Sequence, residues 1–339
     1  MTPLLNTSWR LHSRPSGLVE RDHFDVRTEP VPEPAPGHVV VRNIYLMVPA
    51  SMRIWMDAED TYLPAQPLGE VMRGITLGVV EHSESERLPV GTHVTGMGGW
   101  QEYSVGPERA WTALDPHPDI GLTAYLGVLD LQGLTAYYGL TDVGRPAAGE
   151  TLVVTAAAGS VGSLVCQIGK KLGLRVIGIA GGPAKCAWLR DSCGVDDAID
   201  YKGEDVAARL DELCPDGIDI AFENVGGPIM DLIIDRINTH ARIALCGMVS
   251  TYNGNEQTAG RSLMNLVNKR GRIQGFIVRD YMSRRAEFRE IVTPWLLDGS
   301  LIYREEFSTG LHSTPAAMNR LARGQNTGLQ FVRVTSPVD

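Results

Sequence analysis

Cysteine is scarce in this chain of 339 residues. Five occur, Cys166, Cys186, Cys193, Cys214 and Cys246, an odd number with no Cys-x-x-Cys pair. That pattern argues against a disulfide framework and against a structural zinc site, and it makes a reducing cytoplasm the expected location. Basic charge is also in short supply. Lys and Arg number 31 against 40 Asp and Glu, a formal net charge of −9. Neither nucleic acid nor a membrane surface is therefore expected as a partner. An anionic ligand would have to be met by a local cation or by backbone N–H donors. The first residues, Met1 to Pro15, lack the apolar run of a secretory signal. Only one long uncharged stretch occurs, 151–169, and it carries Gly159, Ser160, Gly162, Ser163 and Gln167. It reads as a buried strand, a tight turn and a helix rather than a membrane span. No internal repeat or low-complexity tract is present.

What the chain does have is a hydrophobic content of 43 % and 37 glycines. A sizeable core is affordable, and the length suggests about two domains. The first third is β-like. Short apolar runs at 38–41, 78–80 and 93–94 are broken by Pro and Gly at 31–37 and 96–99. This texture predicts a small, mostly antiparallel β domain over 1–126. Beyond Leu126, strand-like runs at 151–156, 175–179, 197–199, 218–222, 242–246 and 272–277 alternate with helix-length segments. The pattern predicts an α/β fold with a doubly wound, six-stranded parallel sheet over 127–299. After a helix near 284–297, the segment 300–339 regains strand and turn character and is expected to return to the first domain.

The first strand of that sheet runs into Ala157-Ala158-Gly159-Ser160-Val161-Gly162 and then a helix. This is the dinucleotide fingerprint with Ala in place of its first Gly. Gly159 would let the backbone approach a pyrophosphate, and Gly162 would let the helix pack closely on the strand. A small-residue turn packing a helix on a sheet is the plainer reading of six such residues. Their place between the first strand and the first helix of a six-strand series favours the dinucleotide. NAD sites carry an acid about 20 residues further on, for the ribose 2′-hydroxyl. Here no acid occurs between Arg175 and Arg190, while Gly181 and Gly182 leave space and Lys185 adds a positive charge. NADP(H) is the expected cofactor. In isolation Lys185 would read as an exposed lysine at a helix start.

The motifs Gly133-Leu134-Thr135-Ala136-Tyr137, 156–162, 178–186, Ala198-Ile199-Asp200-Tyr201-Lys202 and Glu223-Asn224-Val225-Gly226-Gly227 come in order. They are followed by 246–253, 274–278 and Gly324-Gln325-Asn326-Thr327-Gly328. With these the chain resembles the zinc-free medium-chain dehydrogenase/reductases, in particular the alkenal/one double-bond reductases of the prostaglandin and curcumin reductase type. The resemblance implies a GroES-like catalytic domain beside the Rossmann domain, with the active site in the cleft between them, and often a homodimer formed through the last strand of the nucleotide sheet. It implies that Gly159, Ser160, Val161 and Gly162 hold the pyrophosphate and that Lys185 and Tyr201 meet the 2′-phosphate. Asn224, then Cys246, Gly247, Ser250 and Tyr252, then Phe276, Ile277 and Val278 would line the path from adenosine to nicotinamide. Asn326 would reach the cofactor from the C-terminal return.

Zinc-dependent relatives carry an early Cys and a Gly-His-Glu. This chain has Leu68-Gly69-Glu70 and no Cys before Cys166, and His12, His23, His38, His82, His93 and His117 are scattered. No metal is expected. The implied reaction is NADPH-dependent reduction of the C=C bond of an α,β-unsaturated aldehyde or ketone. Hydride addition to the β-carbon places negative charge on the carbonyl oxygen, which needs a hydrogen-bond donor. Tyr252, just past a strand end where α/β active sites open, is the candidate, together with the cofactor ribose. A loop tyrosine with a structural hydrogen bond is the alternative. Family members often carry Asp-Pro-Tyr-Met-Arg where this chain has Pro49-Ala50-Ser51-Met52-Arg53. Ser51 replaces the aromatic, so the substrate pocket is altered, with Trp55, Tyr62 and Trp100 as further lining candidates. Two other functions fit the same residues: an NADPH quinone oxidoreductase, and a crystallin-like protein that binds nucleotide without turnover.

Overall fold

In the structure, a computed structural model that describes residues 3–254 and 263–335, the chain divides into two units. One comprises 1–127 with 305–339, the other 128–304. The return segment thus starts at Glu305, later than the expected 300, and its last residues, 336–339, lie outside the described ones. The first unit opens with β1 (Leu5–Leu11) paired antiparallel with β2 (Phe24–Pro30). Its main sheet is built on β3 (His38–Met47), which is buried along most of its length because it pairs on both edges. One edge takes β4 (Ile75–Ser83), which continues to β5 (His93–Gly96). The other takes β6 (Tyr103–Pro107), while β7 (Trp111–Ala113) extends the β5 side. Trp9, Phe24, Leu46, Met52, Trp55, Met56 and Trp100 form part of one core cluster.

The second unit starts with α1 (Leu131–Tyr138), which runs directly into a π-helical turn, Gly139–Gly144. The expected alternation follows: β8 (Thr151–Thr155), α2 (Gly162–Lys171), β9 (Arg175–Ala180), α3 (Pro183–Asp191), β10 (Asp197–Asp200), α4 (Val206–Leu213) and β11 (Ile218–Glu223). It continues with α5 (Gly227–Ile234), β12 (Ile237–Leu245), α6 (Met264–Lys269), β13 (Arg272–Gly275) and α7 (Arg285–Leu297). The six strands are parallel, in the order β10-β9-β8-β11-β12-β13. Helices on both faces leave β8 buried at every residue, which explains its apolar centre Leu152-Val153-Val154 between two buried threonines. The order reverses between β8 and β11, and ligands of such sheets bind outside the strand ends at that point.

Strand β12 begins at Ile237, not at Arg242 as the apolar run suggested. Its first half is polar and outward, with Thr239 and His240 exposed. The pairing with β11 shifts register there, and His240 takes φ +66°. Strand β8 stops one residue earlier than expected, because Ala156 turns into the left-handed region at φ +47°.

The return supplies β14 (Glu305–Thr309), α8 (Thr314–Ala322) and β15 (Leu329–Arg333). Strand β15 pairs parallel with β14 and antiparallel with β3, so the end of the chain completes the first unit's seven-stranded sheet. Among the described residues, no helix is long and apolar enough to cross a membrane.

Candidate active site

The turn after β8 is shaped by backbone crowding. The Gly159 N–H donates to the Ala156 carbonyl at 2.9 Å. A Cβ on Gly162 would lie 2.8 Å from Ala157 Cα and would overlap the Ala156 carbonyl. Only glycine lets α2 start so close to the strand. Gly159, Ser160, Val161 and Gly162 therefore sit together at the N-terminus of a ten-residue helix, whose dipole suits a phosphate.

A second corner forms where β9 and β10 end. The Gly182 N–H donates to Asp200 Oδ1 at 2.6 Å, and the Lys202 N–H donates to the same oxygen at 3.0 Å. These backbone donors, Gly182 first, hold the Asp200 carboxyl below its ordinary range. Gly181 faces Tyr201, since a Cβ there would lie 2.9 Å from Tyr201 Cε1. Tyr201 is 41 % exposed, and Lys202 Nζ lies 5.8 Å from its ring centre. Lys185 stands in the first turn of α3, with its N–H donating to the Gly182 carbonyl. Lys202 is a cation that sequence reasoning passed over. Its position directly after Tyr201 was the available signal.

Between β8, β11 and β12 lies a polar knot. Glu223 is fully buried. Its Oε1 accepts from Thr155 Oγ1 at 2.8 Å, from the Val225 N–H at 2.6 Å and from the Gly226 N–H at 2.8 Å. Its Oε2 has no hydrogen-bond partner among the described residues. Burial, the largest influence, pushes this carboxyl above its ordinary range. The Glu223 carbonyl accepts the Cys246 and Gly247 N–H groups. Asn224 donates through Nδ2 to the Thr155 carbonyl at 2.7 Å and through its backbone to Thr155 Oγ1 at 2.8 Å. Sequence reasoning named Asn224 but missed Glu223 and Thr155.

Beside the knot, at the ends of β12 and β13, is an open pocket of about 540 Å³. Cys246, Gly247, Tyr252, Phe276 and Ile277 line it, all named from the sequence, together with Leu245, Met248, Gly275 and Asp280. Ser250 lies outside the lining and ties its loop down, donating through Oγ to the Val225 carbonyl at 2.6 Å. Val278, also outside it, begins the short helical segment Val278–Arg284. The Tyr252 hydroxyl accepts a long hydrogen bond, 3.4 Å, from the Met248 N–H. The Cys246 thiol is pushed up to about 12, first by burial and then by Glu223, so it stays protonated and is no nucleophile.

The remaining candidates belong to the first unit. Trp100 is wholly buried, stacked on Phe24 with ring centres 4.8 Å apart, so it is a core residue rather than a pocket wall. Trp55 is buried too, and its indole N–H donates to the Tyr62 hydroxyl at 2.8 Å. Ser51 is half-buried in the single turn Ala50–Met52. Asn326 is buried, with Nδ2 donating to the Gly328 carbonyl at 3.3 Å.

Residues 7–114 match a family model described as the N-terminal domain of oxidoreductase, and residues 160–298 one described as zinc-binding dehydrogenase. The chain is 40 % identical over 335 residues to the NADPH-dependent curcumin reductase of Escherichia coli (strain K12), covering 97 % of each chain. It is a zinc-free medium-chain dehydrogenase/reductase of the alkenal/one double-bond reductase type. Another such reductase, prostaglandin reductase 1 of Bos taurus, is 34 % identical over 332 residues, covering 96 % of this chain and 98 % of its own. The solved structure of CurA in complex with NADPH from Vibrio vulnificus superposes with a TM-score of 0.92 at 40 % identity, over 98 % of this chain and all of that one. The second family description mentions zinc. In this medium-chain reductase, no group of three or more His, Cys, Asp or Glu side chains among the described residues is placed to hold a metal ion, and a catalytic zinc takes three protein ligands.

Proposed function

We propose that the pocket at the ends of β12 and β13 seats the nicotinamide and the reacting end of an enone or enal, and that the chain reduces its C=C bond with NADPH. The chain is an NADP(H)-dependent oxidoreductase, in keeping with its family. The reading of the site is carried by one observation: the Asp200-braced corner, the crowded turn 159–162 and the pocket lie in that order along the strand ends of a single six-stranded sheet. Those residues fit a dinucleotide phosphate.

In this reading Gly159, Ser160, Val161 and Gly162 take the pyrophosphate on the N-terminus of α2. Lys185 and Tyr201, with Lys202 beside them, take the 2′-phosphate. Thr155, Glu223 and Asn224 fix the strand ends, and Cys246, Gly247, Ser250, Phe276, Ile277 and Val278 shape the nicotinamide path. When bound, NADPH supplies the hydride. The Tyr252 hydroxyl donates to the substrate carbonyl oxygen as negative charge gathers there, and that interaction is strongest in the transition state. Solvent water protonates the α-carbon, so no separate general acid is required.

The protein works in the cytoplasm, in keeping with its unpaired thiols. It forms a homodimer through β13, an edge strand of the sheet. Leu263 and Val267, more than half exposed at the start of and within α6, which packs on β12, add apolar area near that edge. The test of the function is NADPH oxidation with a panel of enones and enals, with product analysis. A saturated ketone or aldehyde supports it. Turnover restricted to quinones, giving hydroquinone, would replace it.

A further inference from the structure

The π-helical turn Gly139–Gly144 has no part in the function described so far. π-Turns are rare and costly, and tend to persist where they hold something in place. This one touches the pocket wall at one end and the sheet at the other. At its start, Gly139 lies against Phe276 and Phe222. A Cβ there would overlap Phe276 Cζ and sit 2.8 Å from both Phe276 Cε2 and Phe222 Cε2. Just before it, Tyr138 stacks on Tyr281 with ring centres 5.0 Å apart and planes 7° from parallel, and its hydroxyl donates to the Arg284 carbonyl at 3.2 Å. Within the turn, Asp142 accepts from Arg284 Nη1 at 2.6 Å. At its end, the Val143 carbonyl accepts from Arg272 of β13 and the Gly144 carbonyl from Arg242 of β12, at 2.7 and 2.9 Å.

We infer that this turn is the positioning element for the pocket wall 276–280, and that Gly139 is its specificity-setting residue: the absent side chain makes the notch that receives the Phe276 ring. The inference rests on the reading that the pocket seats nicotinamide and substrate. Three kinds of contact converge on one short segment. The notch sets the depth of Phe276, the Tyr138–Tyr281 stack sets the segment's tilt, and the Asp142–Arg284 pair closes it. Arg242 and Arg272 fix the turn to the two strands whose ends form the pocket. A larger residue at 139 would push Phe276 toward the pocket without touching substrate or cofactor.

The test uses the full-length protein, three single variants and one double variant. Gly139 has φ −60° and ψ −37°, so Gly139→Ala meets no backbone strain and acts through the ring. It is expected to speed amide hydrogen exchange across 276–284 in the nucleotide-free protein. It is also expected to change kcat or the enone KM about tenfold, with the preference for NADPH over NADH unchanged. Phe276→Leu makes room, so the double variant should recover much of what Gly139→Ala loses, a non-additive pair. Asp142→Asn should also speed exchange across 276–284, and it decides the matter if Gly139→Ala does not fold. Simple additivity of the first two variants, or normal exchange in both Gly139→Ala and Asp142→Asn, would overturn the inference. Altered kinetics in Phe276→Leu with none in a folded Gly139→Ala would sink the inference alone. Unaltered kinetics in Phe276→Leu would remove the pocket reading and the inference with it.

Discussion

Asp200 receives the Gly182 N–H at 2.6 Å, so a carboxylate at the end of β10 braces the turn at the end of β9. Asp200 Oδ1 is thereby occupied by two backbone donors. Lys185 and Lys202 remain the nearby positive charges. Lys185→Ala is expected to raise the KM for NADPH tenfold to a hundredfold, matching a charged contact of about 1.5–3 kcal/mol, and to leave NADH use nearly unchanged. Steady-state kinetics with both cofactors checks this. Equal losses with both would return Lys185 to a structural role.

Asp200→Ala removes the brace. The preference for NADPH over NADH should fall as Gly181, Gly182 and Lys202 lose their fixed geometry. The stability effect has a defined pH dependence. The folded-state pKa of Asp200 is lowered, so its contribution is present above the unfolded carboxylate value, about 3.9, and disappears as pH falls through the folded value. Thermal unfolding of the two proteins should therefore differ at neutral pH and converge in acid. A constant difference in Tm at all pH values would count against the brace.

Glu223 carries the opposite sign. Its folded pKa is raised, so its contribution is present below the unfolded value and is lost as pH rises through the folded one. Glu223→Gln keeps the Oε1 acceptor for Thr155, Val225 and Gly226 and removes the titration. Tm of the wild type should drop relative to this variant as pH increases from acid to neutral. Parallel Tm curves would mean the carboxyl ionises as easily folded as unfolded.

Tyr252→Phe keeps the ring and its packing and removes one donor. The expected loss is in kcat, roughly tenfold to a hundredfold, with NADPH affinity unchanged in a direct titration. An unchanged kcat would make Tyr252 a lining residue.

Prolonged chelation should leave turnover intact, and elemental analysis should find no stoichiometric zinc. Activity lost to chelation and restored by zinc would contradict the donor set.

The six parallel strands were legible because a strand buried on both faces carries an apolar run, as Leu152-Val153-Val154 does in β8. The first half of β12 was not, because Asn238, Thr239 and His240 meet solvent at a register shift. Much of the candidate site could be read from small residues and strand ends: Gly159, Gly162, Lys185, Tyr252 and Phe276. Glu223 escaped because an acid at a strand end reads as surface until its three donors are seen. Trp100 was misplaced for the converse reason, since sequence alone does not separate a core indole from a pocket wall. The turn Gly139–Gly144 left no trace, because α- and π-helical turns draw on the same residues.

Ala156 gives the phosphate turn a further property. A non-glycine residue in the left-handed region costs about 1–2 kcal/mol, and Ala156 is held there at φ +47° by the folded chain. Its carbonyl meets the Gly159 N–H and crowds Gly162, so the conformation is imposed by the packing of α2 on β8 rather than by the residue's own preference. The entropy of ordering that loop is lost when the protein folds, so under the proposed function the pyrophosphate would meet a turn that is already ordered.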